Sequence, residues 1–365
     1  MVMMGIEYMG EPPFSEVNIH SVVQAPDGRR MSKSLGTGID PLELIEEHGA
    51  DALRFGLLHM SSTQDVRFNV GSVQQGRALV TKLWNANRLV IERGGRVQPE
   101  PPVAELLADR WIVSRVTAFV EEAQALVAGF RLSAYVDGLY HLVFDDYCDW
   151  YLELLKGGQA SIDVASYVLE QLLALVHPVM PFMSEEAWAA IPGSEGMMLT
   201  HPPARAPGPR DKDAERQIGR LHEAVRGLRA VRTERGLRPR TPLLVGGAAL
   251  SHLPTEATAV DSFAPDAEID DGGAAVVGVS FGQLLVQVEG ADSEADAEAE
   301  RERIVGEIAN VRAELARAQG KLDNEKFVER APAEVVDIER EKARRYGDEL
   351  AALEQELSGL DSRGP

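Results

Sequence analysis

A chain of 365 residues with 44% hydrophobic and 26% charged residues has the balance of a folded soluble protein and the length for two or three cores, which excludes global disorder. Its formal net charge of -21 argues against nucleic acid as a partner if only the sum counts, but cations gather locally and their distribution matters more. A single cysteine, Cys148, leaves no intramolecular disulfide and no cysteine-built zinc module, which fits a reducing compartment.

Residues 1–70 open with "MVMMGIEYMGEPPF", which has no basic region leading into a long apolar run, so no signal peptide is expected. Next come the β-type run "VNIHSVV", the glycine-bounded loop "GRRMSKSLG" and a helical segment "PLELIEEHGADALRFGLLHM". The mixture reads as the last strand and helix of an α/β domain. Residues 71–205 carry amphipathic helical segments, "VQQGRALVTKLWNANRLVIERG", "DRWIVSRVTAFVEEAQALVAGF", "RLSAYVDGLYHLVFDDYCDWYLELLK" and "ASYVLEQLLALVHPVMPFMSEEAWAAI", which predict an antiparallel bundle. The most apolar of these is interrupted by Glu170, Gln171, His177 and two prolines, so it reads as a buried helix rather than a membrane span, and the cytoplasm is the expected location. Trp84, Trp150 and Trp188 are assigned to core packing.

Prolines in "IPGSEG" and "HPPARAPGPR" mark a boundary. Residues 206–290 then hold one basic helix and three β-like pieces, "PLLVGGAAL", "AAVVGVSF" and "QLLVQVEG", predicting a small mixed α/β segment. On the basic helix Arg226, Arg229, Arg232, Arg235 and Arg238 are candidate phosphate contacts, with an ordinary solvated helix face as the equal alternative. Their near three-residue spacing lets at most two or three share one face. In residues 291–365, Ile304, Ile308, Val311, Leu315, Ala318 and Leu322 form one apolar seam and Ala343, Tyr346, Leu350, Leu353, Leu357 and Leu360 a second. The break around Pro332 predicts an antiparallel helical hairpin, with homodimerisation through the heptads as the alternative.

The loop carries the chemistry. A lysine between two serines suits a polyphosphate: Lys33 supplies a compact charge, Ser32 and Ser34 supply hydroxyls, and Gly28 and Gly36 let the loop close. An isolated S-K-S is equally well an ordinary surface turn, so these residues alone leave both readings open. The longer segment "IHSVVQAPDGRRMSKSLGTGIDPLELIEEHGADALRF", however, closely resembles the signature-loop region of class I aminoacyl-tRNA synthetases, with Arg30, Met31, Ser32, Lys33 and Ser34 at the positions of the K-M-S-K-S motif. Arg30 replaces the usual leading lysine and keeps its charge. Ser21 stands where relatives commonly have glycine after the histidine, here His20.

Further along, "TKLWNANRLV", "DDYCDWYLELLK" and "VHPVMPFMSEEAW" resemble the helical anticodon-binding domain of the valine, isoleucine and leucine enzymes. The turn "KLDNEKFVERAPAEVV" resembles that of the coiled-coil arm of the valyl-tRNA synthetase family. The resemblance implies a mainly α chain. In order it would hold the end of a class I α/β nucleotide-binding domain (1–70), an anticodon-binding bundle (71–205), a small mixed segment (206–290) and an antiparallel coiled-coil tRNA-binding arm (291–365). It implies ATP binding by His20, Arg30, Met31, Ser32, Lys33 and Ser34, and catalysis by Lys33 on the pyrophosphate leaving group of valyl-adenylate formation. ATP with Mg2+ enters as substrate, no protein-bound metal is expected, tRNA-Val is the implied partner and Arg226, Arg229, Arg232 and Arg238 its candidate contacts. No H-x-G-H occurs in the chain, and by resemblance the amino-acid pocket and editing domain precede this region. The chain is therefore expected to be inactive alone. Three alternatives stay open: a stand-alone tRNA-binding remnant, the C-terminal half of a split synthetase completed by a separate N-terminal half, and a truncated gene.

Overall fold

The computed structural model describes residues 1–32, 36–60, 64–239, 241–254, 257, 261, 263–265, 269, 274–288, 308, 311–312, 315–322, 340–347 and 350. Two compact units divide the chain, Met1–Gln287 and Val288–Pro365.

The first unit begins with α1 (Val2–Met9) and an extended stretch leading to β1 (Val23–Gln24). Asp40 caps α2 (Pro41–His48) by accepting the Leu42 N–H at 2.9 Å, and Pro41 fits the first helical turn, where no N–H is needed. The single helix expected over "PLELIEEHGADALRFGLLHM" is two, because Gly49 sits at φ 93°, outside the helical region; α3 (Ala50–His59) starts afresh after it. The chain then returns in β2 (Val66–Arg67), parallel to β1 with Val23 opposite Val66 and Gln24 opposite Arg67. Strand, two helices and parallel strand thus make one crossover of α/β type.

Helix α4 (Val70–Glu92) crosses α3 closely, and two glycines permit it. A Cβ on Gly76 would lie 2.9 Å from the Ala52 carbonyl oxygen, and one on Gly56 would lie 2.8 Å from Val73 Cγ2. After α5 (Leu107–Ala128) and α6 (Leu132–His141) the helix widens to π-type over Leu142–Tyr151 before resuming as α7 (Leu152–Lys156). The sequence explains the wide turns. Leu139, Val143, Tyr147, Tyr151 and Leu155 are all buried and recur every four residues, a spacing that drifts around a 3.6-residue helix but stays in line when the turn is wider. Tyr147 and Tyr151 stack at 5.7 Å, and their hydroxyls are satisfied by the Ala165 carbonyl and the buried Asp109 carboxylate. The last apolar segment also divides, into α8 (Ile162–Val176) and α9 (Pro181–Ala190), at the two prolines. Asp51 of α3 caps α9 by accepting the Phe182 and Met183 N–H groups at 3.3 and 2.6 Å, and Arg54 donates to the Pro178 and Val179 carbonyls. These contacts fix the crossover on the bundle.

Trp188 is buried as expected and Trp111 joins it, whereas Trp150 is half-buried. Trp84 departs from the core assignment with 38% exposure. It follows Leu83 by one position, which rotates it about 100° off the buried stripe of Val73, Leu79, Leu83, Ala86 and Val90.

The chain then runs to α10 (Lys212–Glu234), started by Asp211, whose carboxylate accepts the Asp213 and Ala214 N–H groups. A four-stranded sheet follows, β3 (Leu243–Gly246), β4 (Phe263–Pro265), β5 (Ala275–Val279) and β6 (Gly282–Val288), in the order β4-β3-β6-β5. β3 and β4 are parallel, and β5 and β6 form an antiparallel hairpin. The three β-like pieces are strands; β4 escaped the sequence reading because "FAP" is too short to show alternation. Helix α10 lies close on this sheet, with Gly227 directly over Val277.

In the second unit, residues 315–322 and 340–347 are helical. Ile308 and Ala318 are buried, Val311, Leu315, Leu322, Ala343, Tyr346 and Leu350 are half-buried, and Arg312, Arg317, Lys321 and Arg340 are exposed. The apolar seam is therefore visible on the described positions. The turn between its two halves, and Ile304, Leu353, Leu357 and Leu360, lie outside the described residues, and with them the predicted antiparallel coiled coil. Among the described residues no helix is long and apolar enough to cross a membrane.

Candidate functional site

The signature-like loop rises from β1 and is fastened at both ends. On the entering side the Ala25 N–H donates to the Arg29 carbonyl at 2.8 Å and the Gly28 N–H to the Ala25 carbonyl at 2.8 Å. Gly28 has φ 83°, and the Arg67 guanidinium packs over it, its Nε 3.1 Å from where a Cβ would stand. Glycine is favoured there by its conformation, and a Cβ would also press on the Arg67 guanidinium. Gln24 and Arg30 then pair across the base as an antiparallel bridge. Asp27 accepts the Arg29 N–H at 3.0 Å and the Arg29 Nε at 2.7 Å, and these bonds hold its carboxyl below the usual carboxylate range. Arg29 thereby serves the turn.

On the leaving side one threonine does the fastening. Thr37 Oγ1 accepts the Ser32 N–H at 3.0 Å and donates to the Arg30 carbonyl at 2.9 Å, while the Thr37 N–H donates to the Ser32 carbonyl at 3.2 Å. Met31 points inward and packs with Val23, Ile39, Leu44 and Met60 around the buried cluster of Ala52, Leu53, Phe68 and Val73. Arg30, next to it, is exposed. Lys33 and Ser34 lie outside the described residues. The arrangement is a loop clamped at its neck by Thr37 and Met31, with a cation at its rim. Sequence reasoning missed Thr37 and Arg67: Thr37 acts from beyond the second glycine and Arg67 from a strand reached only through the crossover.

His20 is exposed, with Nδ1 2.8 Å from the Ser21 carbonyl oxygen, and lines a cleft against the α5–α6 corner. Among the described residues no hydrogen bond joins it to the loop. Of the same residues, no group of three or more His, Cys, Asp or Glu side chains is placed to hold a metal ion.

The candidate arginines of α10 separate into two sets. Arg226 and Arg229 are exposed; Arg226 Nε donates to the His222 carbonyl at 3.1 Å, and the Arg229 guanidinium lies 5.6 Å from the Trp150 ring centre. Arg235 and Arg238 are exposed where the helix has ended. Arg232 corrects the sequence expectation. It is 2% exposed, its NH1 lies 3.0 Å from Asp261 Oδ2 and its Nε donates to the Thr241 carbonyl. The cause is periodicity: Arg232 is four residues after Leu228 and one after Val231, on the face that packs inward. It ties the helix to the sheet region and is unavailable to a phosphate.

Between the arginines and the bundle lies His222, stacked on Trp150 at 3.8 Å and edge-on to Trp111 at 5.4 Å. Burial first, then the neighbouring Arg226 and Arg115, push it down to about 3, so it is a neutral aromatic at physiological pH. Its stack with Trp150 leaves the indole half-buried beneath Arg229.

Three family models match consecutive parts of the chain: tRNA synthetases class I (I, L, M and V) over residues 1–69, the anticodon-binding domain of tRNA ligase over 109–246 and the valyl tRNA synthetase tRNA binding arm over 296–361. Valine–tRNA ligase from Carboxydothermus hydrogenoformans is 37% identical across 99% of this chain and 43% of its own length. The valine–tRNA ligase of Mesorhizobium japonicum is 35% identical across all of this chain and 42% of its own length. The chain thus spans less than half the length of the relatives it matches. Among solved structures, the LeuRS–tRNA–LeuAMS ternary complex of Agrobacterium radiobacter K84 superposes on 67% of the chain and 28% of its own with a TM-score of 0.44 and 23% identity.

Proposed function

The chain belongs to the valine–tRNA ligase family and matches the C-terminal part of those enzymes, and on that premise we propose that it serves the ATP-dependent joining of valine to tRNA-Val through valyl-adenylate. The observation that carries this reading is the segment Arg30-Met31-Ser32-Lys33-Ser34 on a loop whose neck is held by Thr37 and Met31. In the proposal, Lys33 meets the β- and γ-phosphates as the bond to the pyrophosphate leaving group breaks. Charge grows there only as the transition state is reached, so a lysine aimed at it raises the rate more than it tightens ATP binding. Arg30 adds a second cation, and Ser32 and Ser34 add hydroxyl donors. His20 is assigned to the same nucleotide by resemblance only. Magnesium accompanies ATP as part of the substrate.

The 365 residues hold no H-x-G-H, so in this reading the loop acts on reactants positioned by the family's N-terminal part, and the activity of the whole enzyme requires both. The RNA partner is proposed to lie along α10, with Arg226, Arg229 and Arg238 on its phosphates, and on the 291–365 arm. Arg232 is excluded from that set by its burial. Binding to tRNA-Val and to a tRNA of another acceptance, followed across a range of salt, tests this assignment. The reading requires preference for tRNA-Val and a steep loss of affinity with salt; equal binding of both, or binding indifferent to salt, contradicts it.

A further inference from the structure

Helix α5 ends on a glycine, yet the residue held at positive φ is the next one. Gly129 has φ -89° and Phe130 has φ 54°. The Phe130 N–H donates to the Val127 carbonyl at 3.0 Å and the Arg131 N–H to the Leu126 carbonyl at 2.8 Å, a helix ending that usually places glycine where Phe130 stands. A side chain as large as phenylalanine is disfavoured there by its own Cβ. Burial does not compensate, because Phe130 is 48% exposed. An exposed aromatic kept in a disfavoured backbone conformation calls for a reason other than packing.

The ring lines an open cleft of about 490 Å³ between the α5–α6 corner and the extended segment holding Asn18 and His20, within the size range of small-molecule sites. Arg131 lines the same cleft and is exposed, and its side chain makes no hydrogen bond or ion pair among the described residues. Asp137, the carboxylate of the lining, lies 3.7 Å from His59 Nε2 and 3.8 Å from His141 Nε2, so imidazoles flank it. A flat aromatic face, an adjacent uncommitted guanidinium and amide and imidazole hydrogen-bonding groups are the components that receive a base together with its phosphate.

The geometry points to a nucleotide subsite. The cleft takes one unpaired nucleotide of an RNA chain, its base against the Phe130 ring, its phosphate on Arg131 and its base edge toward Asn18. The RNA source rests on the function proposed above; the base-plus-phosphate chemistry does not.

The test is titration of the full chain, carrying ring-labelled phenylalanine, with adenosine 5′-monophosphate, adenosine, inorganic phosphate and a short oligoadenylate. Magnetic resonance reads the Phe130 signal, identified by its absence in Phe130→Gly. The monophosphate is expected to shift that signal and to bind more tightly than adenosine or phosphate alone, with the oligonucleotide tighter still. Phe130→Gly puts at the positive φ the residue that tolerates it, so the fold is kept, and it weakens nucleotide binding between about five- and a hundredfold. Arg131→Gln weakens binding and lowers the salt slope by about one charge. An unmoved Phe130 signal, phosphate binding as tightly as the monophosphate, or equal nucleotide binding by both variants overturns the subsite. An oligonucleotide no tighter than the monophosphate overturns the RNA source. If the unmodified chain binds tRNA-Val and both variants bind it equally, the cleft inference fails alone; if the unmodified chain binds no tRNA, the functional reading fails and the monophosphate titration still decides the cleft.

Discussion

Two arginines three residues apart on α10 do different work. Arg232→Ala removes the buried ion pair with Asp261 and the bond to the Thr241 carbonyl, and the expected loss of stability is about 3–5 kcal/mol, seen as a lower urea midpoint. Arg229→Ala removes an exposed cation that lies over the Trp150 ring and should lower that midpoint far less, while reducing the salt slope of tRNA binding by about one. His222 adds a pH dependence whose sign follows from burial. Its folded pKa, about 3, lies below its unfolded value, so the unfolded chain takes up the proton first as pH falls. The stability from the neutral stack is fully present above the unfolded pKa and is lost as pH drops through the window down to about 3, at up to about 1.4 kcal/mol per pH unit. His222→Phe should flatten that dependence between neutral pH and pH about 5, measured as urea midpoints. At the loop neck, Thr37→Val removes both bonds made by the hydroxyl; trypsin cleavage after Arg30 should then rise roughly fivefold or more, from about 1 kcal/mol per lost bond. The motif residues were legible because they are contiguous. Arg232 was not, because its partner lies 29 residues away and only the phase of the helix reveals which way it faces.

At the scale of elements, the helices could be read because their apolar positions repeat, and the errors fall where spacing alone is ambiguous. The four-residue recurrence from Leu139 to Leu155 looks like one amphipathic α-helix in sequence, and only the alignment of all five buried side chains selects the wider turn. Gly49 and the Pro178–Pro181 pair divide segments that hydrophobic rhythm alone joins. The close α3–α4 crossing was invisible, since a glycine inside a helix signals nothing about what approaches it. Gly76→Leu should therefore cost about 1–3 kcal/mol through overpacking, far beyond the effect of helix propensity, which favours leucine over glycine. Thermal unfolding of the variant checks this; a midpoint equal to or above that of the parent would contradict the crossing.

At the scale of the molecule, the crossover that carries the loop is tied to the bundle by Asp51 on the start of α9 and by Arg54 on the α8–α9 turn. A ligand drawn to α10 or to the bundle therefore acts on the same compact unit as the loop. That linkage suits the proposed role, in which one stretch of chain presents both a phosphate-handling loop and an RNA-facing helix. The family was legible from motifs spread along the sequence, whereas the buried Arg232–Asp261 pair needed the structure. The proposed role of the loop is tested by ATP–pyrophosphate exchange with valine, run on the chain alone and on the chain mixed with the separately expressed N-terminal part of a valine–tRNA ligase, with Lys33→Ala in parallel. No exchange is expected from the chain alone, exchange from the mixture, and a loss of at least about a hundredfold in the variant; exchange by the chain alone, or an equal rate with Lys33→Ala in the mixture, would contradict the proposed role of the loop.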